Sequence, residues 1–101
     1  MEKYEIDSFI ETCEKELEGK KVRYLFKSGL HHFIVEGGGL SFFIYIHDKF
    51  FEEEDPGDIL NEFYKYDVFN TINNSAEPLW LYLSVSGLQE VDETFIRTKP
   101  K

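Results

Sequence analysis

The amino-acid sequence predicts a small α+β fold in which helices pack on one face of an antiparallel sheet of about five strands. Apolar residues recur at helical spacing near the N-terminus and again after residue 55. Between these helices, three segments alternate with a period of two and are joined by short glycine-containing links. The chain has 101 residues, the length of one domain, and we interpret residues 1–101 as a single acidic α+β domain.

The first helix is predicted over residues 4–18, ending before Gly19. Its buried face consists of apolar side chains at helical spacing: Ile6, Phe9, Ile10, Cys13 and Leu17. A row of carboxylates lies beside that face: Asp7, Glu11, Glu14 and Glu18. Like charges at these spacings destabilise a helix by a few tenths of a kcal/mol each. The row is therefore interpreted either as a solvated surface or as a ridge of carboxylates kept for binding.

Three strands are predicted over residues 22–27, 31–35 and 42–47. They are linked by turns at Ser28-Gly29 and over residues 36–39, and such short links favour antiparallel pairing. The three glycines of the second link are interpreted as a hairpin turn, because no lysine or hydroxyl of a phosphate-binding loop accompanies them.

A second helix is predicted over residues 56–66. Asp55 precedes it and can accept hydrogen bonds from the free backbone amides of the first helical turn. A weak strand, Val68–Ile72, and a stronger strand, Leu79–Val85, follow it. Residues 88–98 fit either a third, C-terminal helix or an edge strand. We expect the helices predicted over residues 4–18 and 56–66 to pack on the same face of the sheet.

Aromatic side chains are expected on the opposite sheet face: Phe43, Tyr45, Trp80 and Tyr82. Monomeric proteins seldom expose large apolar patches, so either the C-terminal segment or a partner is expected to cover this face. Tyr and Trp dominate binding hot spots, and an uncovered face would be suited to an interface.

The negative charge is concentrated in two segments. Lys and Arg number 11 against 20 Asp and Glu, which gives a net charge of −9. Residues 1–18 carry seven acids and two lysines, a net −5, and residues 48–67 carry eight acids and two lysines, a net −6. Such a distribution attracts a basic partner and repels nucleic acid and anionic lipid. We therefore expect neither direct nucleic-acid binding nor membrane binding.

No set of residues in the sequence predicts a metal or cofactor site. His31 and His32 are adjacent, so in a strand they point to opposite faces. His47-Asp48 can reach one of them across the strands, but a zinc site needs three or four converging ligands. Cys13 lies on the apolar face of the first helix. We expect no metal and no cofactor.

Catalytic residues are not predicted either. Cys13 has no neighbour that would ionise its thiol, and the acids of residues 52–54 are interpreted as a solvated run in a loop. The single cysteine excludes an internal disulfide and suits a reducing compartment. The acidic N-terminus lacks the features of a signal peptide. We expect a non-enzymatic protein in the cytoplasm of the producing or infected cell.

These observations predict a stoichiometric inhibitor that occludes the basic surface of a nuclease or another nucleic-acid-binding protein. Anti-CRISPR, anti-restriction and toxin-immunity proteins are the classes expected to act in this way. Carboxylates spaced about 5–6 Å apart on a helix can stand in for phosphates. The predicted acidic contact residues are Asp7, Glu11, Glu14, Glu18, Glu52, Glu53, Glu54, Asp55 and Asp58. The predicted aromatic contact residues are the four on the sheet face, Phe43, Tyr45, Trp80 and Tyr82.

An alternative hypothesis comes from the order of the predicted elements: helix, three strands, helix, two strands and a C-terminal segment. This order is similar to that of type III secretion chaperones and of YbjN-like proteins. The resemblance implies a secretion-chaperone-like or regulatory homodimer that shields the aromatic sheet face. A dimer at micromolar concentration would favour this alternative, and a strict monomer would favour the inhibitor.

Overall fold

The computed structural model describes residues 2–95 and confirms an α+β fold. Its elements are α1 (Lys3–Glu16), β1 (Lys21–Lys27), β2 (Leu30–Gly37), β3 (Leu40–His47), α2 (Asp48–Glu53), α3 (Pro56–Lys65), α4 (Val68–Asn73), β4 (Trp80–Ser84) and β5 (Gly87–Val91). The five strands form one sheet in the order β1-β2-β3-β4-β5. Both predicted helices are therefore present as α1 and α3, and two short helices join them.

Helices α1 and α3 both begin at capping residues, and for α3 this is the predicted Asp55. The backbone N–H of Glu2 donates to Oε1 of Glu5 over 3.0 Å at the start of α1, as in a capping box. At the start of α3, the backbone N–H of Asp58 donates to Oδ1 of Asp55 over 2.9 Å, as expected of an N-cap. Helix α1 ends at Glu16, two residues before the predicted end.

The first three strands form two tight hairpins, as predicted. Lys27 pairs with Leu30 across the first turn, whose central residues Ser28 and Gly29 have φ values of 56° and 75°. The second turn is built in the same way on two glycines with positive φ. Two central residues with positive φ match the right-handed twist of the flanking strands, so the local sequence is enough to form both hairpins.

One of the four strand pairings corrects the expectation of an antiparallel sheet. Strands β3 and β4 are parallel, with Phe43 opposite Trp80 and Tyr45 opposite Tyr82, whereas the other three pairings are antiparallel. A parallel pair needs a long crossover connection, and helices α2, α3 and α4 provide it. The sheet is therefore mixed.

Two predictions about the crossover are wrong. Val68–Ile72 is not a strand, because residues 68–73 form α4, whose Val68, Phe69 and Ile72 are buried. Helix α4 follows Asp67, which has the left-handed φ of 57° and redirects the chain after α3. The acids of residues 52–54 do not lie in a loop: Glu52 and Glu53 belong to α2. Burial of Phe50 and Phe51 holds this short helix against the sheet.

All four helices share one core with one face of the sheet. The ring of Phe33 contacts Phe9 of α1, with centroids 5.1 Å apart, and Phe51 of α2, with centroids 5.9 Å apart. Phe63 of α3 in turn contacts Phe9 and Phe69 of α4. The sheet contributes alternate residues to this core: Val22, Phe33, Val35, Phe42, Ile44, Ile46, Leu81 and Leu83. The helices thus form one layer on one side of the sheet.

The C-terminal segment contains a strand over part of the range that the sequence left open. Residues 87–91 form β5, which pairs with β4 at the edge of the sheet. A turn follows, and Phe95 is the last residue that the structure describes. The rest of the ambiguous range, residues 96–98, lies outside the described residues.

Candidate functional site

The two acidic segments of the sequence lie in the same layer of the structure. The first consists of α1 and the residues after it, and the second covers α2, α3 and the start of the next turn. Because all these helices pack on one side of the sheet, a net −5 and a net −6 share one side of the molecule. We call the exposed carboxylates of this layer the acidic helical face.

Most of the predicted acidic contact residues are exposed on this face: Asp7, Glu11, Glu18, Glu52, Glu53, Asp55 and Asp58. Asp7 forms an ion pair with Lys3 over 3.0 Å, and Glu11 forms one with Lys15 over 3.7 Å. Both pairs are solvent-exposed, and exposed pairs of this kind contribute only about 0–1 kcal/mol. Their carboxylates therefore remain accessible to a partner.

Glu14 is a structural residue as well as a member of the predicted row. Its carboxylate accepts a hydrogen bond from the backbone N–H of Val22 over 2.9 Å. Val22 lies near the start of β1, which is an edge strand of the sheet. The side chain of Glu14 thus joins α1 to the sheet, and a variant of Glu14 tests the fold as well as binding.

The acids around the start of α3 interact with one another. Asp55 caps the helix, and the carboxylate of Asp58 lies near that of Glu54. Loss of solvent contact and the nearby carboxylate of Asp58 raise the pKa of Glu54. Neighbouring carboxylates that repel one another favour a cation from outside the chain.

Two open clefts lie on the acidic helical face. The first, of about 280 Å³, lies between the end of α1, α3 and α4 and is lined by Glu16, Glu18, Phe63, Tyr64, Asp67, Phe69, Asn70 and Asn73. The second, of about 390 Å³, is lined by Phe50, Glu54, Asp58, Asn61 and Glu62. In the first cleft the Tyr64 hydroxyl donates to Oε2 of Glu16 over 3.3 Å. The sequence alone could not reveal these clefts, because residues from separate helices line them.

The predicted aromatic residues lie together on the opposite side of the sheet. The rings of Phe43 and Trp80 stack with centroids 5.7 Å apart and planes 7° apart. Tyr45 is buried, and the ring of Phe95 lies 5.8 Å from it and 4.9 Å from Tyr82. The C-terminal segment therefore covers part of this aromatic face. The sequence analysis expected either this segment or a partner to do so.

The acidic and aromatic sets thus lie on opposite faces of the sheet, and one flat contact cannot use both. The acidic helical face carries aromatic residues of its own, which were not predicted as contact residues; Tyr64 was expected on the buried side of its helix. Tyr4 of α1 is 73% exposed and Tyr64 of α3 is 51% exposed. The side chain of Tyr64 lies directly beside a carboxylate, so it is placed to contact any group that binds there.

His31 and His32 point to opposite faces, as predicted, and both are buried. His32 lies on the aromatic side, where its ring meets the edge of Tyr45 and its Nε2 hydrogen-bonds the carbonyl of Lys27 over 3.1 Å. Burial lowers the pKa of His32. This residue is held in the neutral form as part of the sheet.

His31 lies on the helical side, in a chain of polar contacts. Its Nδ1 is 2.6 Å from the hydroxyl of Tyr24, and its Nε2 is 2.7 Å from Oδ1 of Asp48. The imidazole stacks on the ring of Phe51 with centroids 3.9 Å apart. Glu52 lies one turn after Asp48 on α2, and His31, Asp48 and Glu52 offer ligand atoms within 4.8 Å of one another. The sequence had placed Asp48 near one histidine, but it had not connected Glu52 with them.

Cys13 is buried in the core, as its position on the apolar face predicts. Burial, with a smaller effect of the nearby carboxylates of Glu14 and Glu16, raises the pKa of its thiol to about 12. The thiol is therefore protonated at neutral pH and is unsuited to nucleophilic chemistry.

No family model, curated protein or solved structure matches this chain. Among the residues that the structure describes, no helix is long and apolar enough to cross a membrane.

Proposed function

We propose that this protein is a non-enzymatic binding domain that inhibits a nucleic-acid-handling protein by covering its basic surface with the acidic helical face. The observation that supports this proposal most is the placement of both acidic segments in one helical layer. Charge of one sign on one side of a small molecule steers a partner of opposite sign into a defined orientation.

The kind of partner follows from the chemistry of the face. Proteins that bind nucleic acid neutralise phosphates with Lys and Arg, so their binding surfaces are the natural targets of a dense set of carboxylates. Carboxylates on neighbouring helical turns are about 5–6 Å apart, and they take the place of phosphates in this proposal. The exposed residues Glu11, Glu18 and Glu53 make the contact, with Tyr64 as an aromatic anchor.

The proposed mechanism is occlusion in a one-to-one complex, because nothing in it requires turnover. It acts in the cytoplasm of the producing or infected cell, where a nuclease or restriction complex would meet its inhibitor. Anti-CRISPR, anti-restriction and toxin-immunity proteins are the proposed classes. In each of these classes the proposed partner is a basic protein, and the proposed effect is competition with nucleic acid.

A pull-down from lysate of the source cells tests this proposal. The bait is the tagged wild-type protein, compared with a Glu11→Lys/Glu53→Lys double variant and with a Glu77→Lys/Glu93→Lys control that makes the same change in charge outside the helices. We expect the wild type and the control to retain a basic nucleic-acid-binding protein at low salt, and the helical variant to lose it. Added DNA or RNA should displace the captured protein. Retention by all three baits, or indifference to nucleic acid, would contradict the proposal.

A second candidate function, a dimer that shields the aromatic face, is favoured by a separate observation. At the β1 edge of the sheet, Leu25 is 36% exposed. Leu25 lies opposite His32 and therefore on the aromatic side of the sheet. An exposed leucine beside half-buried aromatic rings is typical of a surface that a partner covers, and this hypothesis takes a second copy as that partner.

Sedimentation at micromolar concentration distinguishes the two functions. The dimer hypothesis predicts a dimer that persists at high salt and that a Leu25→Gln variant weakens. A monomer over the whole concentration range would rule the dimer out and leave the inhibitor.

A further inference from the structure

A polar cluster around His31 lies partly below the acidic helical face, to which its residue Glu52 belongs. His31 comes from β2, whereas Asp48 and Glu52 come from the first and fifth positions of α2. Residues four apart on a helix lie on the same side of it, so both carboxylates approach the same imidazole. The result is one nitrogen and two carboxylate ligands within 4.8 Å of one another.

We propose that His31, Asp48 and Glu52 form a binding site for a divalent transition-metal ion, with Zn²⁺ as the best fit. Imidazole nitrogen and carboxylate oxygen are both ordinary zinc ligands. A nitrogen ligand disfavours Mg²⁺ and Ca²⁺, which prefer oxygen alone. Three protein ligands leave a fourth position of a tetrahedral ion open to solvent.

The site needs only small movements to take the ion. Ligands at about 2.0–2.1 Å from zinc in a tetrahedron lie about 3.3 Å apart. The separation of 2.7 Å between Nε2 of His31 and Oδ1 of Asp48 must therefore widen slightly, and Glu52 must move inward. The side chain of Asp48 is 47% exposed and Glu52 is exposed, so rotation of either carboxylate displaces no core residue.

The histidine, in contrast, is fixed in place. Its side chain is 5% exposed, it stacks on Phe51, and its ring centroid lies 4.7 Å from that of Phe26. This packing holds the imidazole plane, so that Nε2 points to the two carboxylates whether or not an ion is present. One buried ligand with two that are exposed to solvent matches a site that an ion reaches from solvent.

Tyr24 supplies the outer contact that histidine ligands of metals usually have. With its hydrogen on Nε2, a neutral His31 donates to Asp48 and accepts from the Tyr24 hydroxyl at Nδ1. Zinc at Nε2 requires that hydrogen to be on Nδ1 instead, where it is donated to the Tyr24 oxygen. A hydroxyl can donate or accept, so both states of the ring are satisfied and the proton stays on the imidazole.

Calorimetric titration of the untagged protein with Zn²⁺ tests the site. We expect one ion per chain in the wild type. Tyr24→Phe should weaken binding by about tenfold, whereas Asp48→Asn and Glu52→Gln, which each remove a ligand, should weaken it by more. Glu77→Gln removes the same charge in the loop before β4 and should bind as the wild type does. No uptake by the wild type, or equal uptake by all variants, would overturn the proposal.

Nitrogen-15 NMR of the histidine rings identifies the ligand atom directly. Zinc should shift the Nε2 resonance of His31 and move its hydrogen to Nδ1, while His32 and His47 keep their signals. Spectra without zinc establish that each variant is folded. A zinc-dependent shift at His47 with none at His31 would place the ion elsewhere and contradict the proposed site.

Discussion

The ring of Phe95 stacks on the ring of Tyr45, with centroids 5.8 Å apart and planes 20° apart. Phe95 also contacts Tyr82 on the neighbouring strand, with centroids 4.9 Å apart. One side chain from the C-terminal segment thus spans β3 and β4 on the sheet face that has no helical layer. This contact bears on both the stability of the sheet and the dimer hypothesis.

We predict that Phe95→Ala lowers the free energy of unfolding by about 1–3 kcal/mol, less than the 3–5 kcal/mol typical of a fully buried phenylalanine. The reason is the loss of two ring contacts at a partly buried position. Urea unfolding measures the change, and Tyr4→Ala, at a position 73% exposed, should change stability by no more than about 0.5 kcal/mol. A Phe95→Ala variant as stable as the wild type would mean that Phe95 does not pack on the sheet in solution.

Glu14 should be distinguishable from its neighbours on α1 by its contribution to stability. We predict that Glu14→Ala destabilises the fold by about 1–2 kcal/mol, because the backbone N–H of Val22 loses a charged acceptor. Glu11→Ala removes only an exposed ion pair and should change stability by no more than about 0.5 kcal/mol. Equal unfolding midpoints for the two variants would contradict the structural role of Glu14.

His32 should make stability depend on pH. Because burial lowers the pKa of His32 in the folded chain from its ordinary value of 6.5, the unfolded chain takes up the proton first as the pH falls. The free energy of unfolding therefore has its full value above pH 6.5 and decreases below it, toward the lower pKa of the folded state.

Urea unfolding at about pH 7.5 and about pH 5.5 measures this dependence. We expect the wild type to lose more stability between the two pH values than a His32→Gln variant, which has no proton to bind at this position. The same loss in both proteins would show that His32 does not contribute to the dependence.

The thiol of Cys13 should be unreactive in the folded protein. It is buried and its pKa is raised to about 12, so almost no thiolate is present at neutral pH. We predict that a thiol reagent labels Cys13 only as fast as the chain unfolds, and labels it at once in strong denaturant. Rapid labelling without denaturant would indicate that α1 leaves the core.

The hairpins and the major helices could be predicted from the sequence because their signals are local. Ser28-Gly29 supplies the two positive φ values that its turn requires. Asp55 likewise provides the cap that begins α3. Each signal lies within a few residues of the element that it forms, so the sequence alone is enough to place these elements.

The elements that were missed depend on distant contacts. Val68–Ile72 has the composition of a strand, yet it is helical because Asp67 turns the chain and Phe69 packs on Phe63. The parallel pairing of β3 with β4 joins segments that are far apart in the chain. Tertiary packing decides both features, and no local pattern predicts them.

The same distinction applies to the candidate sites. Asp7, Glu11 and Glu14 of the predicted carboxylate row lie on α1, whereas Glu18 follows its end. The placement of this row in the same layer as the acids of α2 and α3 depends on the shared core. Asp48 was predicted to approach a histidine, whereas Glu52 joins His31 only because residues 48–53 form a helix. Because the six-residue helix α2 was not predicted, the cluster of His31, Asp48 and Glu52 was not predicted either.

We propose above that the acidic helical face binds a basic surface used for nucleic acid. The most direct test is the dissociation constant for the captured partner, measured at low and at high salt for the wild type, Glu11→Lys/Glu53→Lys and Glu77→Lys/Glu93→Lys. We predict that the helical variant binds at least about tenfold more weakly, that the control matches the wild type, and that salt weakens wild-type binding steeply. Equal affinities for all three proteins, with no effect of salt, would show that the acidic helical face does not bind the partner.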